Sequence, residues 1–313
     1  MDRAESRRQD GPLTAGGDHT VRWWDTSTGR EVRTVHLPGF LAGLAISPDG
    51  KSVLATAYEG PLRTWDLATG RETTPADLPR DKKVGALAFT PDGRHLLSAS
   101  GPHVSIWDWP GLKLARTVEL PKPAKQPGEN ACQAVAVSPD GRWLVTVAER
   151  YWYREEKGLR FGYAADGVAD LWNLQTGKRV RRLAEGQGTF RSTTFTADGQ
   201  LVLVGGGGII PAEGGRAAAE FKGEMNLLDP LAARWLRSFI SPPPTPGVTI
   251  RYTGATVLAP DGRTLYVSYN TGEIVGFEVA TGQPRRTFSG HRGYVGALGF
   301  NLSGRRLISG GQD

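Results

Sequence analysis

The chain has 313 residues, of which 39% are hydrophobic, and a formal net charge of +6 at neutral pH. A chain of this length can bury a sizeable core. No apolar run is long enough to cross a membrane, and residues 1–10 lack the apolar segment of a secretory signal. Cys132 is the only cysteine, which excludes an intrachain disulfide and fits a reducing compartment. We therefore expect a cytoplasmic protein without a membrane partner.

The positive charge is only a weak indication of nucleic-acid binding. The chain has 38 Lys or Arg residues and 32 Asp or Glu residues, and the basic residues are scattered along the sequence. A nucleic-acid-binding protein typically collects its basic residues in a patch or stripe. Nucleic acid is therefore the less favoured partner.

Two short phrases recur in chain order. The first contains Asp-Gly and occurs as SPDG, TPDG, SPDG, TADG and APDG, with NLSG as a weaker sixth copy, at 47–50, 90–93, 138–141, 196–199, 259–262 and 301–304. The second is WDTSTG, WDLATG, WDWPG, WNLQTG, LLDPLA or FEVATG, at 24–29, 65–70, 107–111, 172–177, 227–232 and 277–282. Apolar or β-branched segments flank these phrases. Because Gly accepts positive φ, the phrases predict tight turns between short strands.

Each repeating unit is therefore predicted to have four strands, with tight turns after the first and the third. The shortest units are 41 to 43 residues long, the period of four-stranded propeller blades. The first unit has three strands and the last has two, so 25 strands are expected. The seven units, one to seven, cover about 13–37, 41–78, 84–120, 132–186, 189–240, 253–289 and 294–313.

The joint recurrence of SPDG, WD and TG at one period, with GH at Gly290–His291, resembles the WD-repeat (WD40) β-propeller family. The resemblance covers Leu13 to Asp313 and implies an all-β propeller of four-stranded blades, with strands a to d running outward from a central channel. We expect residues 1–12 to form a disordered tail and 13–313 one domain. Seven blade positions with incomplete terminal blades are favoured over six blades closed by a mixed terminal blade. The ending SGGQD indicates a fragment of a longer, bacterial-type protein.

The resemblance also implies a side-chain lock within each blade: a His before strand a, an Asp after strand b, a Ser or Thr on strand b and a Trp on strand c. The matching residues are Thr14, Asp18, Trp24, Trp65, Trp107, Trp172, His291, Ser309 and Asp313. No unit has the full set, so apolar packing should hold the ring together. A catalytic or metal-binding pair of His291 and Asp313 is less favoured. The histidines lack metal-ligand spacing, and no metal or cofactor is expected.

The extra length of the middle units falls into four insertions, at 121–131, 150–167, 206–224 and 241–253. Two follow a strand d and two follow a strand b, and both kinds of connection emerge on one face of a propeller. This face is therefore the predicted working face, over units three to six.

The insertion RYWYREEKGLRFGYAADG (150–167) contains five aromatic and four basic residues, a composition typical of binding hot spots. The predicted partner-binding residues are Arg150, Tyr151, Trp152, Tyr153, Arg154, Lys157, Arg160, Phe161 and Tyr163. The competing interpretations are an extended hairpin packed on the rim and a disordered loop. The favoured function is a non-catalytic scaffold for protein or peptide partners, with acidic partners selected by the basic residues. The alternatives are an enzyme with converging His or carboxylate groups in the central channel, and a propeller that stacks nucleic-acid bases on its aromatic residues.

Overall fold

The architecture is all-β. A computed structural model describes residues 13–15, 20–25, 30–36, 41–57, 60–75, 84–121, 128–156, 159–187, 190–206, 224–240, 253–300 and 307–311. These residues form 24 strands in seven antiparallel sheets.

The sheets follow the predicted units in chain order. Units one and two contain β1 to β6, which are Leu13–Ala15, Thr20–Asp25, Arg30–His36, Leu41–Ile46, Ser52–Ala57 and Leu62–Asp66. Units three and four contain β7 to β14, which are Ala86–Phe89, His95–Ser100, His103–Asp108, Lys113–Glu119, Gly128–Val137, Trp143–Glu156, Leu159–Asn173 and Arg179–Gln187. Units five to seven contain β15 to β24, which are Ser192–Phe195, Val202–Gly206, Glu224–Asp229, Arg234–Ile240, Thr253–Leu258, Thr264–Tyr269, Ile274–Glu278, Pro284–Phe288, Val295–Phe300 and Leu307–Gly311.

The first strand of each unit from two to six contacts the first strand of the next unit, in the order β4, β7, β11, β15, β19, β23. The other strands of each sheet follow in sequence order away from this inner row, and β24 contacts β1. The predicted all-β propeller of four-stranded blades is confirmed.

The predicted count of seven blade positions, or six, is not confirmed. The described residues form five blades, four of which have four strands, and two partial sheets, β1–β3 and β23–β24. The fifth blade is unit two, where the fourth strand is reduced to a bridge between Trp65 and Glu72. This accounts for the difference between the 25 predicted strands and the 24 observed.

Threonine side chains explain why unit two lacks a regular outer strand. The Thr64 amide donates to the Thr74 hydroxyl at 2.9 Å, where a regular ladder would supply a carbonyl. The Thr64 and Thr73 hydroxyls lie 3.0 Å apart. Pro75 follows and has no amide hydrogen to continue the ladder. The strand therefore ends after its first pairs.

The Asp-Gly turns share one hydrogen-bonding pattern. In the first, the Ser47 hydroxyl donates to Asp49 Oδ1 at 2.5 Å and accepts from the Ser52 amide at 2.9 Å. Gly50 has φ of 69°, a backbone conformation that favours glycine. The same arrangement recurs around Asp92, Asp140 and Asp198. The hydroxyl bond is the largest cause that lowers the pKa of each of these four aspartates.

The core lies between neighbouring blades. One cluster joins units three and four, a second joins units four and five, and a third joins units five and six. Strands b and c supply most of its fully buried side chains, including Leu97, Leu144, Leu171, Leu203 and Phe277. Each blade therefore covers an apolar face of the next, and the ring positions the loops at its two faces.

Candidate interaction surface

The sheet of unit four extends far beyond its neighbours at the end where strands b and c are joined. Strand b of unit four, β12, has 14 residues, whereas the corresponding β8 has six. The eight additional residues project roughly 26 Å, at about 3.3 Å per residue. The insertion 150–167 is thus part of an antiparallel hairpin in which Glu156 pairs with Leu159.

The beginning of β11 supports this hairpin from one side. Residues 128–130 were predicted to belong to the connection 121–131, but Gly128, Glu129 and Asn130 pair with residues 152, 151 and 150 of β12. This corrects the predicted start of the strand from 132 to 128. The residues are poor strand formers, and they adopt the strand because the long β12 offers them an edge to pair with. The projection is therefore three-stranded at its base.

The described structure of residues 150–166 is that of the backbone, and Lys157 lies outside the described residues. The backbone pairing brings the predicted partner-binding residues onto the two arms of one hairpin: Arg150 to Arg154 lie on β12, and Arg160, Phe161 and Tyr163 lie on β13. Their predicted role in partner binding remains a prediction.

An ion pair between a buried carboxylate and a half-exposed arginine lies at the foot of the hairpin. Glu149 directly precedes Arg150 and is fully buried, and its Oε1 accepts from Arg191 Nε at 2.9 Å. Gln133 Nε2 donates to the other carboxylate oxygen at 3.2 Å. Since Arg191 stands at the start of the innermost strand of unit five, the pair connects two units below the hairpin. The sequence signal for it is the single Glu149 after the apolar run of β12.

A second buried carboxylate lies on strand c of unit four. Asp170 is 1% exposed, and its Oδ1 accepts from Arg182 Nε at 2.7 Å. Arg179 approaches the same oxygen at 3.5 Å. Both arginines lie on the outer strand β14, so this cluster ties β14 to β13. Sequence analysis did not identify it.

Two of the predicted lock tryptophans donate a hydrogen bond to a hydroxyl on strand b. Trp107 Nε1 donates to Ser98 Oγ at 2.8 Å, and Trp172 Nε1 donates to Thr146 Oγ1 at 2.9 Å. Ser98 and Thr146 are each the fourth residue of the six-residue segment after an Asp-Gly turn. In unit two the residue at this position is Ala55, which has no hydroxyl to accept such a bond. Trp65 of this unit is nevertheless buried, at 4% exposed.

The remaining predicted lock residues are placed as follows. His291 Nε2 lies 2.8 Å from Ser309 Oγ. The backbones of Thr14 and Trp24 lie on β1 and β2, while Asp18 and Asp313 lie outside the described residues. The lock as a whole stays a prediction.

The groups that could serve catalysis or bind a metal are the His, Cys, Asp and Glu side chains. No group of three or more His, Cys, Asp or Glu side chains converges among the described residues. Burial raises the pKa of the Cys132 thiol to about 12. The thiolate, the reactive form of cysteine, is therefore scarce at neutral pH. No helix in the described ranges is both long and apolar enough to span a bilayer.

A groove of about 750 Å³ lies between units three and four, next to their Asp-Gly turns. Its described lining includes Asp92, His95, Arg116, Asp140 and Arg142, and none of the predicted partner-binding residues. The a–b and c–d turns that border it belong to the face opposite the unit-four hairpin. The groove is thus separate from the predicted working face.

Comparisons with known proteins agree with this architecture. The family model "WD domain, G-beta repeat" matches residues 77–108 and 282–313. Over 233 residues the chain is 26% identical to Autophagy-related protein 16 of Arabidopsis thaliana, a match that covers 74% of this chain and 41% of the relative. The chain thus spans about two fifths of the length of that relative. The family matches and the ring of four-stranded blades with Asp-Gly and Thr-Gly turns together support a β-propeller of the WD40-repeat family.

Proposed function

We propose that the protein is a non-catalytic interaction scaffold that binds a protein or peptide partner through the unit-four hairpin, residues 150–167. The WD40 repeats and the distant relationship to Autophagy-related protein 16 support a scaffold for protein interactions. The hairpin is the specific addition of this proposal. We further propose that residues 13–313 act as one cytoplasmic propeller domain.

The observation that carries the proposal is the continuous pairing of the hairpin with the blade. Aromatic and Arg side chains on a paired backbone lose less conformational freedom on binding than the same side chains on an open loop. The segment offers Tyr, Trp, Phe and Arg, which are the residue types enriched at binding hot spots. Its four cations, against two glutamates and one aspartate, favour an acidic partner.

The projection adds nothing that the ring itself needs. Unit three closes its b–c connection with the short turn between Ser100 and His103, and still forms a complete four-stranded blade. A connection of this size that is not required for blade formation is most often functional when it is ordered. The ordered backbone of the hairpin therefore favours interaction over neutral insertion.

The test replaces residues 152–163 by Asn-Gly. Tyr151 and Ala164 are paired across the hairpin, so a two-residue turn between them should close the shortened strands without disturbing the blade. A second variant, Trp152→Ser/Tyr153→Ser/Phe161→Ser, keeps the hairpin and removes three aromatic side chains. Chemical cross-linking in extracts of the native host identifies a partner, whose purified form is then titrated calorimetrically against each variant.

The matched control shortens the other long b–c connection, residues 208–222 of unit five, which is rich in Gly and Ala. We expect both hairpin variants to weaken binding at least tenfold and the control to leave it unchanged. Circular dichroism and thermal melting check that all variants fold. Unchanged affinity in both folded hairpin variants would refute the proposal and direct attention to the opposite face.

A further inference from the structure

The excess positive charge of the chain resides on the outer strands of the propeller. Strands β3, β10, β14, β18 and β22 contain eleven Lys or Arg and three Glu residues, a formal charge of +8. The whole chain carries +6, so all other residues together carry −2. Eleven of the 38 basic residues lie on these strands, and because few acidic residues accompany them, the net positive charge of the chain lies along the rim.

Several of these cations are engaged within the protein. Arg33, Arg116 and Arg237 each donate to backbone carbonyls in the c–d turn of the following unit. Arg234 on β18 differs, because its side chain is exposed and makes no ion pair or hydrogen bond with the side chain or backbone of another described residue. A guanidinium forms strong, charge-assisted hydrogen bonds with a carboxylate.

Exposed apolar side chains concentrate beside Arg234. Among the described residues, seven large apolar side chains are exposed, and three of them lie within six residues of unit five: Leu231 at 55%, Trp235 at 48% and Leu236 at 38%. The outer strands of units three and four each expose a single large apolar side chain near the c–d turn, Leu114 and Val180 respectively. We call Leu231, Arg234, Trp235 and Leu236 the unit-five rim patch.

The turn that carries the patch departs from the repeat. The c–d turns of units two, four and six end in Gly70, Gly177 and Gly282, all with positive φ. In unit five the corresponding turn is Pro-Leu-Ala-Ala, and Ala233 has φ of 52°. Unit three also has a non-glycine residue at this turn position, Leu112 with φ of 51°. The difference between the two turns is exposure, because Leu112 is 7% exposed whereas Leu231 in the turn of unit five is 55% exposed.

The local pairing favours docking through side chains over addition of a further strand. Leu228 pairs with Trp235 and Leu227 pairs with Arg237, so Leu236 is the extra residue of a β-bulge. A bulge interrupts the regular hydrogen-bonding edge that an added strand needs. It also re-aims side chains, and here Trp235 and Leu236 are both exposed.

We infer that the unit-five rim patch is a second docking site, which binds an acidic peptide with apolar side chains. Trp235 and the two leucines supply the apolar contacts, and Arg234 binds a carboxylate of the peptide. The +8 charge of the outer strands attracts a negatively charged ligand to this edge. The patch lies at a c–d turn, on the face opposite the unit-four hairpin, so the inference is independent of the proposed function.

The test is selection of a random dodecapeptide library displayed on phage against the intact chain, followed by fluorescence polarisation with the enriched peptides. We expect enriched peptides to carry net negative charge and Leu, Ile or Phe. Trp235→Ser and Arg234→Glu should each weaken their binding at least tenfold. Val180→Ser, a matched exposed apolar position on the outer strand of unit four, should change it less than twofold.

Four results would overturn the inference. The first is enrichment of peptides without acidic residues, or no enrichment at all. The second is binding that survives both substitutions at the patch in variants shown to be folded by circular dichroism. The third is displacement of the peptide by a 20-base-pair DNA duplex or by phosphatidylserine vesicles, when the same competitor binds Trp235→Ser as well as it binds the wild type. That result would show that the basic rim binds another kind of anion. Sedimentation that shows dimerisation lost in Trp235→Ser would instead assign the patch to a second copy of the chain.

Discussion

Replacing Ser98 by Ala should destabilise the propeller far more than the loss of one oxygen atom would indicate. Ser98 is 3% exposed and Trp107 is 6% exposed, so water cannot replace the 2.8 Å bond from Trp107 Nε1. The substitution leaves a buried indole N–H without an acceptor, which costs about 1–3 kcal/mol. We expect the free energy of unfolding to fall by roughly 2 kcal/mol in urea titrations followed by circular dichroism.

Ser105→Ala is the matched control for this substitution. Ser105 is 4% exposed and pairs directly with Ser98 across β8 and β9, but it accepts no bond from Trp107. Its replacement should change the free energy of unfolding by less than about 0.5 kcal/mol. Hydrogen exchange of the Trp107 indole N–H should accelerate in Ser98→Ala alone. Equal stabilities of the two variants, or an indole that stays protected in Ser98→Ala, would refute the assignment of the bond as a stabilising contact.

Two further predictions concern the charged groups of unit four. Asp170→Ala removes the buried carboxylate that accepts from Arg182 and should lower the free energy of unfolding by about 2 kcal/mol, measured in urea, because the charge-assisted bonds to this carboxylate are lost. Arg182 keeps Glu185 as a partner in the variant. An unchanged free energy of unfolding would contradict this expectation. Ser138→Ala removes the hydroxyl that lowers the pKa of Asp140. A lowered pKa stabilises the fold above the unfolded value of about 3.9 and this contribution is lost as pH falls. The variant should therefore differ most from the wild type near pH 6 and least near pH 2, in thermal melts across that range, and a constant difference would contradict the expectation.

The turns of the fold could be predicted because their chemistry is local. An Asp-Gly phrase carries its own hydrogen-bond acceptor and a residue suited to positive φ, and Gly50, Gly93, Gly141, Gly199 and Gly262 all have φ near 70°. Strands between such turns need only an apolar or β-branched segment. Repetition then identifies the architecture, since one unit cannot bury its apolar faces alone.

The contacts that sequence analysis missed join residues that are distant in the chain. Glu149 and Arg191 are 42 residues apart, and no spacing rule connects them. The hydrogen bond from Trp107 to Ser98 could have been predicted from the sequence. In both units where Trp donates to strand b, a Ser or Thr residue stands at the same position of that strand. Alignment of the units with one another would have revealed this signal. The early start of β11 was not predictable from its own composition, because it depends on the exposed edge of β12.

Comparison of the units with one another identifies the features that a blade does not need for folding, and these are candidates for function. Unit six has short turns and four regular strands, so the ring requires neither a long hairpin nor an apolar turn in a blade. Unit four departs from this standard by about eight residues per hairpin arm, and unit five by exposed leucine and tryptophan side chains at its c–d turn and outer strand. Leu231, Trp235 and Leu236 lie outside the core between blades, and exposed apolar surface carries a cost. Under the two proposals above, binding is the benefit that offsets such costs, and the two departures lie on opposite faces. A scaffold built in this way can hold two partners at once, and simultaneous titration of a hairpin ligand and a rim-patch peptide would show independent binding at each face.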